Sequence, residues 1–428
     1  MLLTANQQNV FEKLDGVDFN FEGATTQYST HKFHPYPARF IPQIPKTFIE
    51  LLTKEGDTIL DPMCGCGTSL VEAFLMGRKG IGNDMNPLAC LISKVKTTLI
   101  QEKEFNYLEK EITRDFKVSK TQIKNFIKNL PKRKIRNYFT GDKISKLEGI
   151  KKLLLEIKEE HFDLYDLCRV ALSSVIWSFI ESEGMLDIKD AFFKKINMMK
   201  KEILNIHCRG GLPYAPTTII HGDSRNLQIE NNSVDLIVTS PPYVNALDYY
   251  REHMFNMHFL DMDFGLFKKN EIGGHSHFIS NRFRLLSEYL SDMLRSMIEM
   301  NRVLKERKFC VIVIGNSTIE YESIESHKFF TSFAKDTGFK HHRTFLRKID
   351  TTKKYTSRNI GRINQENIVV LEKDKDSFYN VNNNNFINAN VKDQMWKVKD
   401  QITQTKRLRK INEAIEVIEE DAEIKPSC

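Results

Sequence analysis

Paired cysteines are missing from this chain. Its seven cysteines, at 64, 66, 90, 168, 208, 310 and 428, form no even framework of short spacings. That excludes a disulfide-stapled fold. Cys64-Gly-Cys66 is too tight to be half of a zinc site, and no second Cys pair or His pair stands at ligand spacing, so no metal is expected. Long hydrophobic runs are missing too. The most apolar helix-like stretch, ALSSVIWSFI (171–180), is too short to span a bilayer, and no membrane partner is expected. Glu12, Asp15 and Asp18 lie among polar neighbours in the first twenty residues, unlike a signal peptide. By elimination the expected location is cytoplasmic and reducing. No internal repeat is visible, and there is no strong excess of charge. A net charge of +7 is compatible with a nucleic-acid partner but modest.

What is present is an ordinary globular composition. With 41% hydrophobic residues, 428 residues can bury a full core and leave room for a smaller second domain. Residues 1–30 read as loosely ordered. GDTILDPMCGCGTSLVEAFLMGRKGIGNDMNPLA (56–89) reads as strand, Gly-rich turn, helix, turn and short strand. Leu70, Val71, Phe74 and Leu75 share one helical face. Such a unit belongs to a parallel sheet with a right-handed crossover. Residues 100–216 interrupt it with Lys- and Glu-rich helical periodicity and a basic run at 128–138. TTIIHGDSRNL (217–227) and VDLIVTSPPY (234–243) resume the strands. Helical 284–305 then leads into FCVIVIGNS (309–317). HRTFLRKI (342–349) and ENIVVLEK (366–373) fit an antiparallel edge hairpin. The Asn-rich stretch 380–390 is a linker by composition, followed by a charged helical tail.

In open α/β sheets ligands collect at the carboxyl ends of strands, and every unusual motif here stands at such an end. Asp61-Pro62-Met63-Cys64-Gly65-Cys66-Gly67-Thr68 closes the first strand. Gly65 and Gly67 permit a tight turn and close approach to a ligand, and the following helix aims its N-terminus there. The spacing is not G-x-G-x-x-G, and the Lys of a phosphate-binding loop is absent. Asp84, at the second strand end, is placed to accept from two ribose hydroxyls. Asp223, with Ser224 beside it, is placed to accept from an exocyclic amine on an adenine. Each Asp taken alone fits a turn or a helix cap. Three acidic strand ends in order, before a fourth ending in Ser240-Pro241-Pro242-Tyr243, point to an adenosine-containing ligand.

With D-P-x-x-G-x-G-T at 61–68 and S-P-P-Y at 240–243, the chain resembles the amino-methyltransferases of DNA, Rossmann-like enzymes that use S-adenosylmethionine. The resemblance covers 31–99 and 217–373 and leaves out the insertion. THKFHPYPARF (30–40), with Tyr36 and Phe40, is similar to the segment that closes over the methionine end of the cofactor in these enzymes. The expected fold is a mostly parallel Rossmann-like sheet with an antiparallel edge hairpin. It divides into 1–99 and 217–373 as the two halves of the methyltransferase domain, 100–216 as a helical insertion and 374–428 as linker and tail. The resemblance implies cofactor contacts at Tyr36, Phe40, Asp61, Pro62, Cys64, Gly65, Gly67, Thr68, Asp84, Asp223 and Ser224.

The Ser-Pro-Pro-Tyr form, preceded by Thr239, is typical of members acting on the N4 amine of cytosine, while Asn or Asp in first position is commoner among adenine-N6 enzymes. An exocyclic amine is a poor nucleophile because its lone pair is delocalised into the ring. Acceptors at Ser240 Oγ and the Pro241 carbonyl would favour a pyramidal nitrogen. The prolines stiffen that strand end, and Tyr243 offers a stacking face for an extruded base. No cysteine follows a proline at this strand end, so the covalent carbon-5 route lacks its nucleophile. Asn245, Asp248, Tyr249 and Arg251 are further candidates for the target pocket, with helix-start or surface roles as alternatives.

The expected partner is double-stranded DNA, with a cognate restriction endonuclease acting separately and the enzyme on the nucleoid through its DNA. Positive charge clusters at 340–362, where Lys348, Lys353, Lys354, Arg358 and Arg362, with Tyr355 among them, suit phosphate contact. The insertion and the stretch 255–285 are rival recognition elements. A rival function is methylation of guanine N2 in RNA, whose enzymes share a D-P-x-C-G-x-G-T turn. A cofactor-binding module without activity is disfavoured, because no motif position is degraded.

Overall fold

A computed structural model of the chain describes residues 5–111, 119–129, 137–208, 214–274, 278–349, 364–377 and 379–423. The strands are β1 (Thr58–Asp61), β2 (Lys79–Asp84), β3 (Thr217–His221), β4 (Val234–Thr239), β5 (Leu304–Gly315), β6 (Ser317–Ile319), β7 (Glu322–Ile324), β8 (Phe339–Lys348) and β9 (Gln365–Lys373). Seven of them form one sheet in the order β3-β2-β1-β4-β5-β9-β8, and β6 and β7 pair separately as a hairpin. The five from β3 to β5 are parallel, and β9 pairs antiparallel with both β5 and β8. The chain builds outward from β1 to β3, then returns to the other side of β1 with β4. The order therefore reverses between β1 and β4, where a crevice opens at the carboxyl edge.

The central strands read as continuous apolar runs because both faces are covered. Alternate residues serve opposite faces. Ile237 of β4, with Cys310, Ile312 and Ile314 of β5, faces a core closed by the helices Arg282–Val303, Ser326–Asp336, Asn384–Lys399 and Thr405–Glu423, and the register shift after Val234 brings that residue into the same core. Leu236, Val238, Val311 and Val313 face the other core, which includes Phe11, Leu14, Ile44, Phe48 and Ala73.

The structure corrects two expectations. The N-terminal segment is not loose: Ala5–Asp15 is a helix whose Phe11 and Leu14 are buried against the sheet. The Asn-rich stretch is not a linker either. Asn383 accepts from Phe386 N–H at 3.0 Å and caps the helix Asn384–Lys399, and Ile387, Val391 and Met395 of that helix enter the main core. The hairpin expected at the edge forms, but only β8 is an edge strand.

The helices of 102–208 are joined to the rest by shared apolar packing. Their core takes in Leu88, Ile92 and Val95 of the helix Pro87–Lys96, and Phe255, Met257 and Phe259 of the helix Tyr249–Phe259. No described helix is long and apolar enough to cross a membrane.

Candidate active site

The crevice at the strand-order reversal is an open cleft. Its floor is the turn after β1. Gly65 has φ +50, and a Cβ there would stand 3.4 Å from the Tyr36 ring, so a larger side chain would intrude on the wall of the cleft. Gly67 serves packing instead: at φ +76 its Cα lies so close to the helix Pro87–Lys96 that a Cβ would meet Ser93 Oγ at 2.7 Å. Asp84 fixes the turn from β2, accepting Gly65 N–H at 2.7 Å through Oδ2 and Asn86 N–H at 2.9 Å through Oδ1. Burial raises its pKa despite these bonds.

Tyr36, Phe40, Pro62, Cys64, Gly65, Thr68, Asp84, Asp223, Ser224, Ser240 and Pro242 all line this cleft. Asp61, Gly67, Pro241 and Tyr243 do not. Asp61 is 1% exposed and lies under the turn, where its Oδ2 accepts from Ser69 Oγ at 2.8 Å and its Oδ1 from Met63 N–H at 3.3 Å. Burial pushes its pKa up to about 7, against the hydrogen bonds from Ser69 and Met63. Ser69 Oγ also lies 3.0 Å from the Val238 carbonyl, tying the ends of β1 and β4 together. The Asp223 carboxylate is gripped by Arg225, whose Nε and Nη2 donate to it at 2.9 and 2.8 Å, and Arg225 Nη1 donates to Asp292 at 2.7 Å. A carboxylate has spare lone pairs, so this grip still leaves Asp223 able to accept.

Tyr243 is placed differently from the face expected at the motif. Its ring is 9% exposed and packs in the core, and its hydroxyl donates to Glu366 Oε1 at 3.0 Å. Four aromatic residues line the cleft: Phe40, Phe267, and Tyr36 and Tyr249, which stack with centroids 6.2 Å apart. Asn245 Nδ2 donates to the Thr318 carbonyl at 2.9 Å, Asp248 is buried, and Arg251 pairs with Asp248 at 3.1 Å. Of the basic residues, Lys348 is exposed at the end of β8, while Lys353, Lys354, Tyr355, Arg358 and Arg362 lie outside the described residues.

Sequence reasoning missed Arg39, Asn83, Asn86 and Glu271. Arg39 sits inside the HPYPARF segment, and Phe267, Asn270, Glu271 and Ile272 come from the stretch 255–285. Glu271 accepts Tyr249 N–H at 2.6 Å, and burial together with neighbouring Asp248 pushes its carboxyl up to about 8. The cleft is electrically polar. Asp84 and Asp223 stand on the side of β2 and β3. Arg39 is on the wall, and buried Lys96, which donates to the Cys66 carbonyl at 2.9 Å, lies behind the turn. Burial alone would raise the Cys66 thiol pKa, but Lys96 and Arg39 outweigh it and the net shift is downward.

These residues fit S-adenosylmethionine. The Gly65 turn leaves backbone room, Asp84 and Asp223 are acceptors of the kind a sugar and an amine would need, and cationic groups suit a carboxylate. Asn83 Oδ1, in a residue lining the cleft, is buried with no hydrogen-bond partner among the described residues. When bound, that group supplies an electrophilic methyl.

The N6/N4 DNA methylase family model matches residues 6–95 and 234–421. The chain belongs to that family. The methylase is 26% identical over 405 residues to the type II methyltransferase M.MvaI of Kocuria varians, covering 79% of this chain and 88% of the relative. It is 24% identical to M.MjaII of Methanocaldococcus jannaschii, covering 69% and 73%. A shorter match, 32% over 129 residues, is to a tRNA (guanine(10)-N2)-dimethyltransferase of M. jannaschii, covering 29% and 35%. The cleft residues suit S-adenosylmethionine as the methyl donor of a DNA methylase.

Proposed function

We propose that the methylase transfers a methyl group to the N4 amine of cytosine at a specific site in double-stranded DNA, as the modification half of a restriction–modification system in the cytoplasm. The observation that carries this reading is the joint opening of Ser240 and Pro242, at the end of β4, into the cleft lined by Gly65 and Asp84. The target cytosine leaves the duplex and enters from the β4 side. An amine hydrogen is donated to Ser240 Oγ, which turns the nitrogen lone pair toward the cofactor. Tyr249 lends an aromatic wall, and catalysis is positioning and electrostatics.

The test is methyl transfer to duplex DNA followed by nucleoside analysis. N4-methylcytosine is the expected product. N6-methyladenine would keep the mechanism and move the target to adenine. The partial tRNA-methyltransferase match supports a second reading, guanine N2 in RNA, which would appear as N2-methylguanosine in a tRNA assay and no product on DNA. Ser240→Ala should lower the single-turnover rate about ten- to a hundredfold with cofactor affinity unchanged, since the lost bond strengthens in the transition state. Full activity in that variant would remove Ser240 Oγ as the acceptor.

A further inference from the structure

The β6–β7 hairpin, Ser317–Ile324, continues from the carboxyl end of β5, next to the strand that carries Ser240. It is fixed at its base. Ile319 and Ile324 are buried in the main core, and the Thr318 carbonyl accepts from Asn245, five residues past Ser240, at 2.9 Å. Its turn is braced as well: Glu320 accepts from Lys410 at 2.7 Å and from Arg282 N–H at 3.3 Å, and Glu322 pairs with Arg407.

One side chain is left outside this bracing. Tyr321, at the tip, is 86% exposed, with the Arg407 guanidinium 5.5 Å from its ring. Both turn residues are left-handed, Glu320 at φ +48 and Tyr321 at φ +69. Such turns ordinarily use Asn-Gly, and a bulky residue in this region is unfavourable. The turn is thus held in a conformation its residues resist, and the outcome is an aromatic ring presented to solvent on a hairpin tied to Asn245, just past Ser240. Exposed Lys406 on the flanking helix supplies positive charge for a polyanion, while exposed Arg409 is paired with Glu413 at 3.0 Å.

We infer that Tyr321 is a positioning residue that stacks into the duplex at the target site, filling the space vacated by the extruded base. This rests on duplex DNA being the substrate. A base that leaves the helix loses its stacking, and a ring inserted from a rigid hairpin replaces part of that loss. Tyr321 does not line the cleft, and its hairpin is tied through Thr318 to Asn245 just past Ser240, so the ring acts on base opening and not on the methyl transfer itself.

The test compares wild type, Tyr321→Ala, Tyr321→Gly and Tyr321→Phe in single-turnover methylation. One substrate is a duplex carrying the recognition site read from the methylated genome of an expressing host. The other is the same duplex with an abasic site opposite the target base, where opening is already cheap. The Ala and Gly variants should lose about ten- to a hundredfold in rate on the intact duplex. They should recover to near wild type on the abasic duplex, with unchanged S-adenosylmethionine affinity, and Phe should retain activity on both. Equal losses on both duplexes, or no loss on the intact one, would overturn the inference. Tyr321→Gly relieves the turn, so a normal rate for Gly beside a slow Ala variant would assign the effect to turn strain and also overturn it. Failure of wild type to methylate any duplex would instead sink the DNA reading.

Discussion

The Tyr243 hydroxyl donates to Glu366 at 3.0 Å, and Arg347 holds the other oxygen of that carboxylate at 2.6 Å. The motif's tyrosine is therefore a strut between the catalytic strand end and the β8–β9 hairpin. Tyr243→Phe removes one hydrogen bond to a charged group and should lower stability by about 1.5–3 kcal/mol. Tyr243→Ala adds a cavity, and about 3–5 kcal/mol is expected. Urea denaturation reads both. If instead Tyr243→Phe leaves the midpoint unchanged, the Glu366 bond contributes nothing net. Asp61 makes the second argument at this scale. Its pKa is about 7 in the fold, against an ordinary 3.8, so between these values the folded state holds a proton the unfolded chain has released. Stability contributed by this group is greatest at low pH, declines as pH rises through that window, and is flat above it. Asp61→Asn is isosteric, since Ser69 can accept from the new amide while donating to Val238. The variant should show a shallower fall in stability between about pH 4 and about pH 7 and keep its cofactor affinity. An unchanged pH profile would show that Asp61 is ionised throughout.

At the scale of elements, legibility followed locality. β4 and β5 are apolar runs bounded by turn residues, and the turn after β1 and the Ser-Pro-Pro-Tyr strand end are contiguous, so their chemistry could be read in place. The helix Ala5–Asp15 could not, because its worth lies in distant partners. Phe11 meets Phe309 of β5 at 5.5 Å, and just beyond the helix Phe19 packs on Phe345 of β8 at 4.8 Å. The Asn-rich stretch hid its helix differently. Ile387, Val391 and Met395 recur every four residues, but the asparagines around them read as linker, and one of them, Asn383, is the cap. Leu14→Ala should cost about 2–5 kcal/mol, and Asn383→Ala about 1 kcal/mol. Denaturation midpoints decide both, and a Leu14→Ala loss near zero would return the N-terminal segment to the surface.

At the scale of the whole molecule, the cleft depends on segments the sequence treats as separate. Tyr36, Asp84, Ser240 and Glu271 come from four stretches that meet only because the strand order reverses between β1 and β4. Charge is organised at this scale too. β8 runs parallel to β5, since each is antiparallel to β9, so it ends at the same carboxyl edge as β4. Lys348 and Gln365 accordingly stand at this edge, on the face by which DNA reaches Ser240 in the proposed function. A net charge of +7 is too small to hold DNA by itself, so local clusters must neutralise the phosphates. Reversing Lys353 and Lys354 to Glu should weaken binding uniformly across sequences. It should also reduce the slope of log affinity against log salt by about 0.9 for each phosphate that is no longer neutralised. Titrations of a labelled duplex at several salt concentrations measure that slope. A reduced slope with unchanged preference for the recognition site would mark these lysines as phosphate ligands, whereas an unchanged slope would leave the anchoring charge to Lys406 beside the β6–β7 hairpin.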